Sequence, residues 1–144
     1  MQKILCFVIA GLAGLVLAEG TVVETKTSFG PVVKYQLAWT ASTNGIVSNA
    51  TTFAVRGSLL RVTFTGAGTG ATYTATLSDS YSVDVLAGMG KGIASNTTTT
   101  VCPGLPVSGG SVTSSIPFAV NDIVTLKILD AGDSKTGSVV LFVE

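Results

Sequence analysis

No histidine occurs anywhere in the 144-residue sequence. That absence removes the commonest general base and every imidazole metal ligand. The many serines are left without a Ser-His pairing, the cysteines without a Cys-His pairing, and Gly-x-Ser-x-Gly is missing as well. Cysteine is scarce: Cys6 lies in an apolar N-terminal run and Cys102 stands alone in the remainder. Residues 19–144 therefore cannot close an internal disulfide, and a lone thiol of this kind is expected to be buried and inert. Charge is scarce too, at 11% of residues against about 25% in ordinary soluble domains. Eight basic residues face eight acidic ones, and removing Lys3 with the N-terminal run leaves a net charge of −1. With no basic cluster, a surface that tracks nucleic-acid phosphates is excluded. Thr and Ser take the surface positions instead. Such an exterior repels its neighbours weakly, which suits lattices, fibres and packed shells.

The chain divides sharply at residue 18. Lys3 precedes an unbroken apolar run, Ile4–Ala18, which ends in Val16-Leu17-Ala18 before Glu19. One positive charge, an apolar stretch and small residues at the last and third-last positions match a secretory signal cut between Ala18 and Glu19. The run falls short of the roughly 20 apolar residues of a comfortable transmembrane helix. Residues 1–18 are thus expected to be a signal peptide or an apolar N-terminal helix, and the chain's only membrane contact if retained. Residues 19–144 are expected to form a single domain, large enough for its own core.

After residue 18 no amphipathic helix of useful length is present, and no repeat. The period is 2, with β-branched residues punctuated by Gly, Asn and Pro. Strands are expected over Thr21–Phe29, over Val33–Trp39, briefly over Thr52–Val55, and over Leu59–Thr65 after a turn at Arg56-Gly57. Further strands are expected at Tyr73–Leu77, Thr97–Val101, Ile123–Leu129 and Ser138–Val143, the last two paired as a hairpin across Asp130–Gly137. Asn44-Gly45 is the clearest turn signal. Asp79–Asn96 reads as a long irregular excursion with one helical turn, Pro103–Gly110 as a loop, and Pro117 limits Val112–Val120 to an edge or bulged strand. About eight short strands spaced in this way indicate an all-β antiparallel sandwich or jelly-roll-like barrel.

Few residues invite chemistry. Asp79 and Asp84 flank a loop, and Asp130 and Asp133 flank a turn. Their spacing fits no EF-hand, so turn-capping, in which Asp bonds the backbone two residues on, is the expected role. Gly88-x-Gly90-x-Gly92 lacks the Lys-Ser/Thr of a phosphate loop and reads as a hinge or a close chain approach. Phe29, Tyr35, Trp39, Phe53, Phe64, Tyr73, Phe118 and Phe142 fall mostly on inward alternation, while Tyr81 is the best candidate for an exposed ring. Asn49-Ala50-Thr51 and Asn96-Thr97-Thr98 match the glycosylation sequon. No catalytic, cofactor-binding or metal-binding residue is assigned, and no cofactor is expected.

Three stretches carry a resemblance. The opening Gly20-Thr-Val-Val-Glu24 with Leu37-Ala-Trp39-Thr is the first. The second is Tyr73-Thr-Ala-Thr-Leu77-Ser-Asp79 followed by Val83-Asp84-Val85-Leu86-Ala-Gly88-Met-Gly90. The third is Asp122-Ile-Val-Thr-Leu126, Asp130-Ala-Gly-Asp133-Ser-Lys-Thr-Gly137 and Val139-Val-Leu-Phe-Val143. Together they resemble small proteins of tailed-phage and prophage genomes, with Ser82 standing where that group has glycine in its turn. The resemblance implies a virion-associated β-sandwich, either a capsid decoration protein or a small tail or head-fibre component. Its partners would be further copies of itself, as a homo-oligomer, or other virion proteins. Its expected contact regions are Gly66–Gly70, Gly88–Thr100 and Pro103–Gly110. Phage parts assemble in the cytoplasm without export signals, so Met1–Ala18 raises an alternative: an exported adhesion or glycan-binding module, or a filament subunit whose Glu19–Ser28 enters a neighbour's groove. The location is accordingly the virion or the extracellular space, and an enzyme is not expected.

Overall fold

Alternation settles which faces are buried. In Val32–Thr40 the side chains of Tyr35, Leu37 and Trp39 are buried, while Lys34, Gln36 and Ala38 point the other way. In Thr136–Val143 the buried set is Val139, Leu141 and Val143, and in Thr72–Ser78 it is Tyr73, Ala75 and Leu77. The computed structural model describes residues 19–48, 52–68, 72–106 and 115–144. The expected N-terminal helix lies outside them. In chain order the strands are β1 (Thr21–Phe29), β2 (Val32–Thr40), β3 (Thr52–Ala67), β4 (Thr72–Ser78), β5 (Ile93–Ala94), β6 (Thr98–Val101), β7 (Gly104–Pro106), β8 (Ser115–Leu129) and β9 (Thr136–Val143). The described residues contain no helix, and every strand pairing is antiparallel.

The strands run β1-β2-β9-β3-β8-β4-β5, with β6 beside β3 and β7 beside β8. This ribbon folds over on itself. Trp39 of β2 and Tyr73 of β4 are far apart in strand order, yet their rings meet edge-on at 5.2 Å, and Tyr35 lies 5.8 Å from Phe53 of β3. Two layers therefore face each other, as in a sandwich. The fully buried Leu37, Phe64, Leu126, Ile128 and Leu141 fill the space between them.

Bending requires long strands that serve both layers. The sequence reading breaks the chain at Arg56-Gly57, but β3 runs on as one 16-residue strand. Its first half pairs with β8 and its second half with β9 and β6. Gly57 makes this possible. Its φ of +131° is open to glycine alone, and an added Cβ would run into the Glu144 carbonyl. A register shift between Leu59 and Arg61 then sets Leu60 aside, so Leu59 and Val62 both point inward. Strict alternation over Leu59–Thr65, which would set Leu60 on the same face as Val62 and Phe64, is broken at this point.

Three more expectations are corrected. Gly104–Pro106, read as loop, pairs with Ser115–Pro117 as β7, one of nine strands among the described residues. Of the expected strand Val112–Val120, residues 112–114 lie outside the described set, and the rest merges with Ile123–Leu129 into β8 (Ser115–Leu129), with Pro117 tolerated opposite Gly104 on the short β7 side. The β8–β9 hairpin does not form, since β3 lies between the two strands. Instead the Asp130–Lys135 connection crosses between layers and zips onto residues 41–47. Ala41 N–H donates to Lys135 O (2.7 Å), Ala131 N–H to Gly45 O (3.0 Å) and Ser134 N–H to Ser42 O (3.1 Å). The Asn44-Gly45 turn does form, and Gly45 N–H donates to Ser42 O at 2.9 Å. Its role is to dock on Gly132, not to close a hairpin.

The excursion after β4 has turns but no helical turn. It carries Val85, Leu86 and Ile93 back into the core. Ser82 adopts φ +64°, the left-handed region favoured by the glycine expected there. Of the two roles read for Gly88-x-Gly90-x-Gly92, the close chain approach is seen at Gly90. Gly88 and Gly92 take φ of +78° and +64°, and a Cβ on Gly90 would meet the Ala75 carbonyl.

Candidate interaction surface

The outward alternation of β1, β2, β9, β3 and β6 composes one face. Following the register across the strands, Val23, Ala38, Ser138, Thr65 and Thr98 form one row. Thr25, Gln36, Val140, Thr63 and Thr100 form the next. Sheet geometry spaces rows of this kind by about 4.8 Å between strands and about 6.7 Å along them. Neither row contains a charge. Hydroxyls bond within the face, Thr63 Oγ1 to Thr100 Oγ1 at 3.2 Å and Thr65 Oγ1 to Ser138 Oγ at 2.6 Å. The third row brings in Lys34, Phe142 and Arg61, with the Arg61 guanidinium 3.9 Å above the Phe142 ring. A cation held there covers the ring.

A groove of about 470 Å³ opens at the end of this face, lined by Thr21, Thr40, Thr65 and Ser138, with Trp39 beneath Gly137. Under it, neither the Trp39 Nε1–H nor the Tyr73 hydroxyl meets a hydrogen-bond partner among the described residues. Burial pushes the Tyr73 phenol up from 10.0 to about 12. The unfolded chain therefore loses this proton first. Stability is intact below pH 10 and falls as pH rises from there towards 12. Tyr73→Phe should remove that alkaline loss. It should also raise stability at pH 7 by about 1 kcal/mol, because an unsatisfied hydroxyl leaves the core. Urea melts at pH 7 and pH 11 test both, and a phenylalanine variant that loses stability at pH 7 would show that the hydroxyl is satisfied after all.

β1 forms the rim of the face. Every residue from Val23 to Phe29 is exposed, including Val23 at 65% and Phe29 at 60%. It pairs with β2, and no described strand takes its other side. Of Glu19–Ser28, the part from Thr21 on is paired in cis with β2, where the filament reading has it in a neighbour.

The contact regions inferred from sequence coincide with this face only in part. Gly66 closes on the Ser95 carbonyl and Tyr73, and residues 69–71 lie outside the described set. Of Gly88–Thr100, Gly90 and Ile93 are buried, while Thr98 and Thr100 join the outer face. Pro103 and Gly104 are buried, and residues 107–114 lie outside the described set. Cys102 is exposed, not buried, because it follows the short edge strand β6 where the chain leaves the sheet. Tyr81 is exposed as expected, at 85%, whereas Phe29 and Phe142 lie on the outward face. Asn96 is exposed, and Asn49 lies outside the described residues.

Asp79 and Asp84 act as turn caps. Asp79 Oδ1 accepts Tyr81 N–H (2.9 Å) and Val83 N–H (2.8 Å). Asp84 accepts Leu77, Leu86 and Gly88 N–H at 3.3, 3.1 and 2.9 Å. Bonds from the Ser80 hydroxyl, then Ile123 N–H, hold the Asp122 carboxyl below the usual carboxylate range. Asp133 accepts from the Ser134 hydroxyl. Among the described residues no three His, Cys, Asp or Glu side chains converge as a metal set.

No protein-family model and no curated protein matches the chain. Among solved structures, a cupin domain from Bordetella pertussis Tohama I is similar over 88% of this chain and 97% of its own, at 10% identity and a TM-score of 0.33. Function has to be read from this chain's own surface.

Proposed function

We propose that this protein is a non-enzymatic structural assembly protein, a phage virion component of the capsid-decoration or tail- or fibre-associated kind, acting through repeated protein–protein contacts. The observation that carries the reading is the outer face, where ten adjacent positions in two rows hold no charge. A neighbour can cover such a face without stripping water from an ion, the step that makes charged surfaces costly to bury. Its hydroxyls and methyl groups offer both hydrogen bonds and apolar contact. The sandwich is read as jelly-roll-like: neighbouring strands are mostly non-consecutive, and the last strand, β9, lies between β2 and β3.

The alternative is an exported adhesion or glycan-binding module, or a filament subunit, favoured by the Ala18/Glu19 signal pattern. Mass spectrometry of the N-terminal peptide from native material, fractionated into particles and soluble export, separates the two. An N-terminus at Met1 or Gln2 in purified particles supports the virion component. One at Glu19, found only in the periplasm or medium, transfers the assembly role to the cell surface.

A further inference from the structure

From Glu24 to Ser28, the side of β1 away from β2 faces no described strand and carries its own pairing instructions. Gly30-Pro31 is a two-residue turn, so Phe29↔Val32 closes the hairpin. In such a hairpin the closing pair and every second pair beyond it exchange backbone hydrogen bonds. The odd-numbered residues of β1 spend their backbone groups on β2. Glu24, Lys26 and Ser28 therefore turn theirs outward. The side chains of Glu24 and Lys26 lie on the core-side face, opposite Leu37 and Tyr35. Both are nevertheless exposed, because the sheet projects here beyond the layer that covers those residues. Lys26 Nζ sits 5.2 Å from the Tyr35 ring centroid, and Glu24 has no cationic partner among the described residues.

We propose that β1 pairs antiparallel with β1 of a second copy of this chain, about a two-fold axis at Thr25. Glu24 of each copy then faces the partner's Lys26. The inference rests on the assembly reading above and supplies its partner and register. The charge pattern selects this register. Glu24 and Lys26 both carry outward backbone groups, so each Glu–Lys pair exchanges two hydrogen bonds. Sliding by the next permitted step, two residues, sets Glu24 against Glu24 or Lys26 against Lys26. An odd slip sets outward groups against inward ones. Core-side charges on an edge strand guard against indiscriminate pairing. Here the two charges guard against the neighbouring registers and favour one, in a self-complementary, isologous contact. The uncharged outer faces of the two copies then join across Thr25 into one continuous sheet.

Cysteine trapping in the full chain tests the register, with Cys6→Ser and Cys102→Ser as background. In this register Thr25 faces its own copy as a non-hydrogen-bonded pair, with Cα atoms about 4.5 Å apart, within disulfide reach. Val23 faces the partner's Thr27 and lies roughly 13 Å from the partner's Val23. Under mild oxidation Thr25→Cys should form covalent dimers about tenfold faster than Val23→Cys or Thr27→Cys alone. Independently, sedimentation equilibrium should show Glu24→Lys weakening association about tenfold or more, and the swap Glu24→Lys with Lys26→Glu restoring it. Cross-linking no faster at position 25, or a swap that fails to restore association, overturns the inference. If the chain still associates in that case, the assembly reading survives without this edge. If the wild type stays monomeric at every concentration and is absent from particles, both fall.

Discussion

Gly137→Val should be among the most damaging single substitutions in the sheet, lowering stability by about 4 kcal/mol. Gly137 lies in β9, opposite Trp39 of β2 on one side and Gly66 of β3 on the other. A Cβ placed there falls on the Trp39 indole ring and 2.5 Å from the Thr65 carbonyl oxygen. The ring has little room to retreat, since it is 2% exposed and its far side meets Tyr73. Tyr73 in turn is held close to Gly66, where an added Cβ would stand 3.1 Å from its ring. Two glycines and two aromatic rings thus form one interlocked stack that joins the layers. The Thr65 carbonyl belongs to a strand flanked by β9 and β6, so moving it disturbs two ladders. Trp39 is the chain's one tryptophan, so its emission reports the displacement directly. A red shift and a lowered urea midpoint are expected, with partial recovery when Trp39→Phe is added. A valine variant that melts within about 1 kcal/mol of the parent, with unshifted emission, would show that the stack is loose.

The same stack explains how an uncharged outer face can be maintained. The interior of the sandwich supplies the stability, through buried residues such as Phe64, Leu126 and Leu141. The outer rows contribute hydroxyl pairs and little else. The core consequently places little constraint on which uncharged residues fill those rows. In the proposed dimer the charges of Glu24 and Lys26 choose the register, while Arg61 covers the Phe142 ring.

Alternation made β1, β2, β4, β6 and β9 legible in the sequence, because each is a single run with one consistent face. Two kinds of feature were not legible. One is continuity: Arg56-Gly57 and Pro117 carry turn and breaker chemistry, yet both sit inside long strands. A left-handed glycine can bend a strand as readily as reverse it, and a proline can pair across its carbonyl. The other is adjacency. β8 and β9 are consecutive and strongly patterned, but the period-2 signal says which face is buried and not which strand lies alongside. The candidate surface was missed for a related reason. Glycine-rich loops stand out in the sequence as contact sites, whereas the uncharged rows arise only when five strands are brought into register. The available signal was the run of Thr and small residues at alternate positions of β1, β3, β6 and β9. Cys102 was misplaced because residue-type statistics favour burial, while its position just beyond a short edge strand decides otherwise.

Asp84→Ala should cost about 3 kcal/mol, because the one carboxylate accepts three backbone N–H groups that have no other partner at hand. Leu77 N–H ties it to β4, and Leu86 and Gly88 N–H fold the excursion back on itself. Around it the backbone closes the same unit, with Val85 N–H donating to Leu77 O (2.8 Å) and Ala75 N–H to Gly90 O (2.8 Å). What the cap secures is the insertion of Val85 and Leu86 into the core, both at or below 1% exposure. Asp84→Asn keeps one acceptor oxygen and should cost about half as much. Leu86→Ala removes the inserted side chain and should cost about 3 kcal/mol by itself. Because cap and plug serve one event, the double variant should lose clearly less than the two losses added together. Urea melts give these values, and amide exchange at Leu86 and Gly88 should accelerate in the alanine variant while Leu126 stays protected. Strict additivity, or a calcium-induced rise in melting temperature that disappears with Asp84→Ala, would count against a capping role and for a metal ligand at this aspartate.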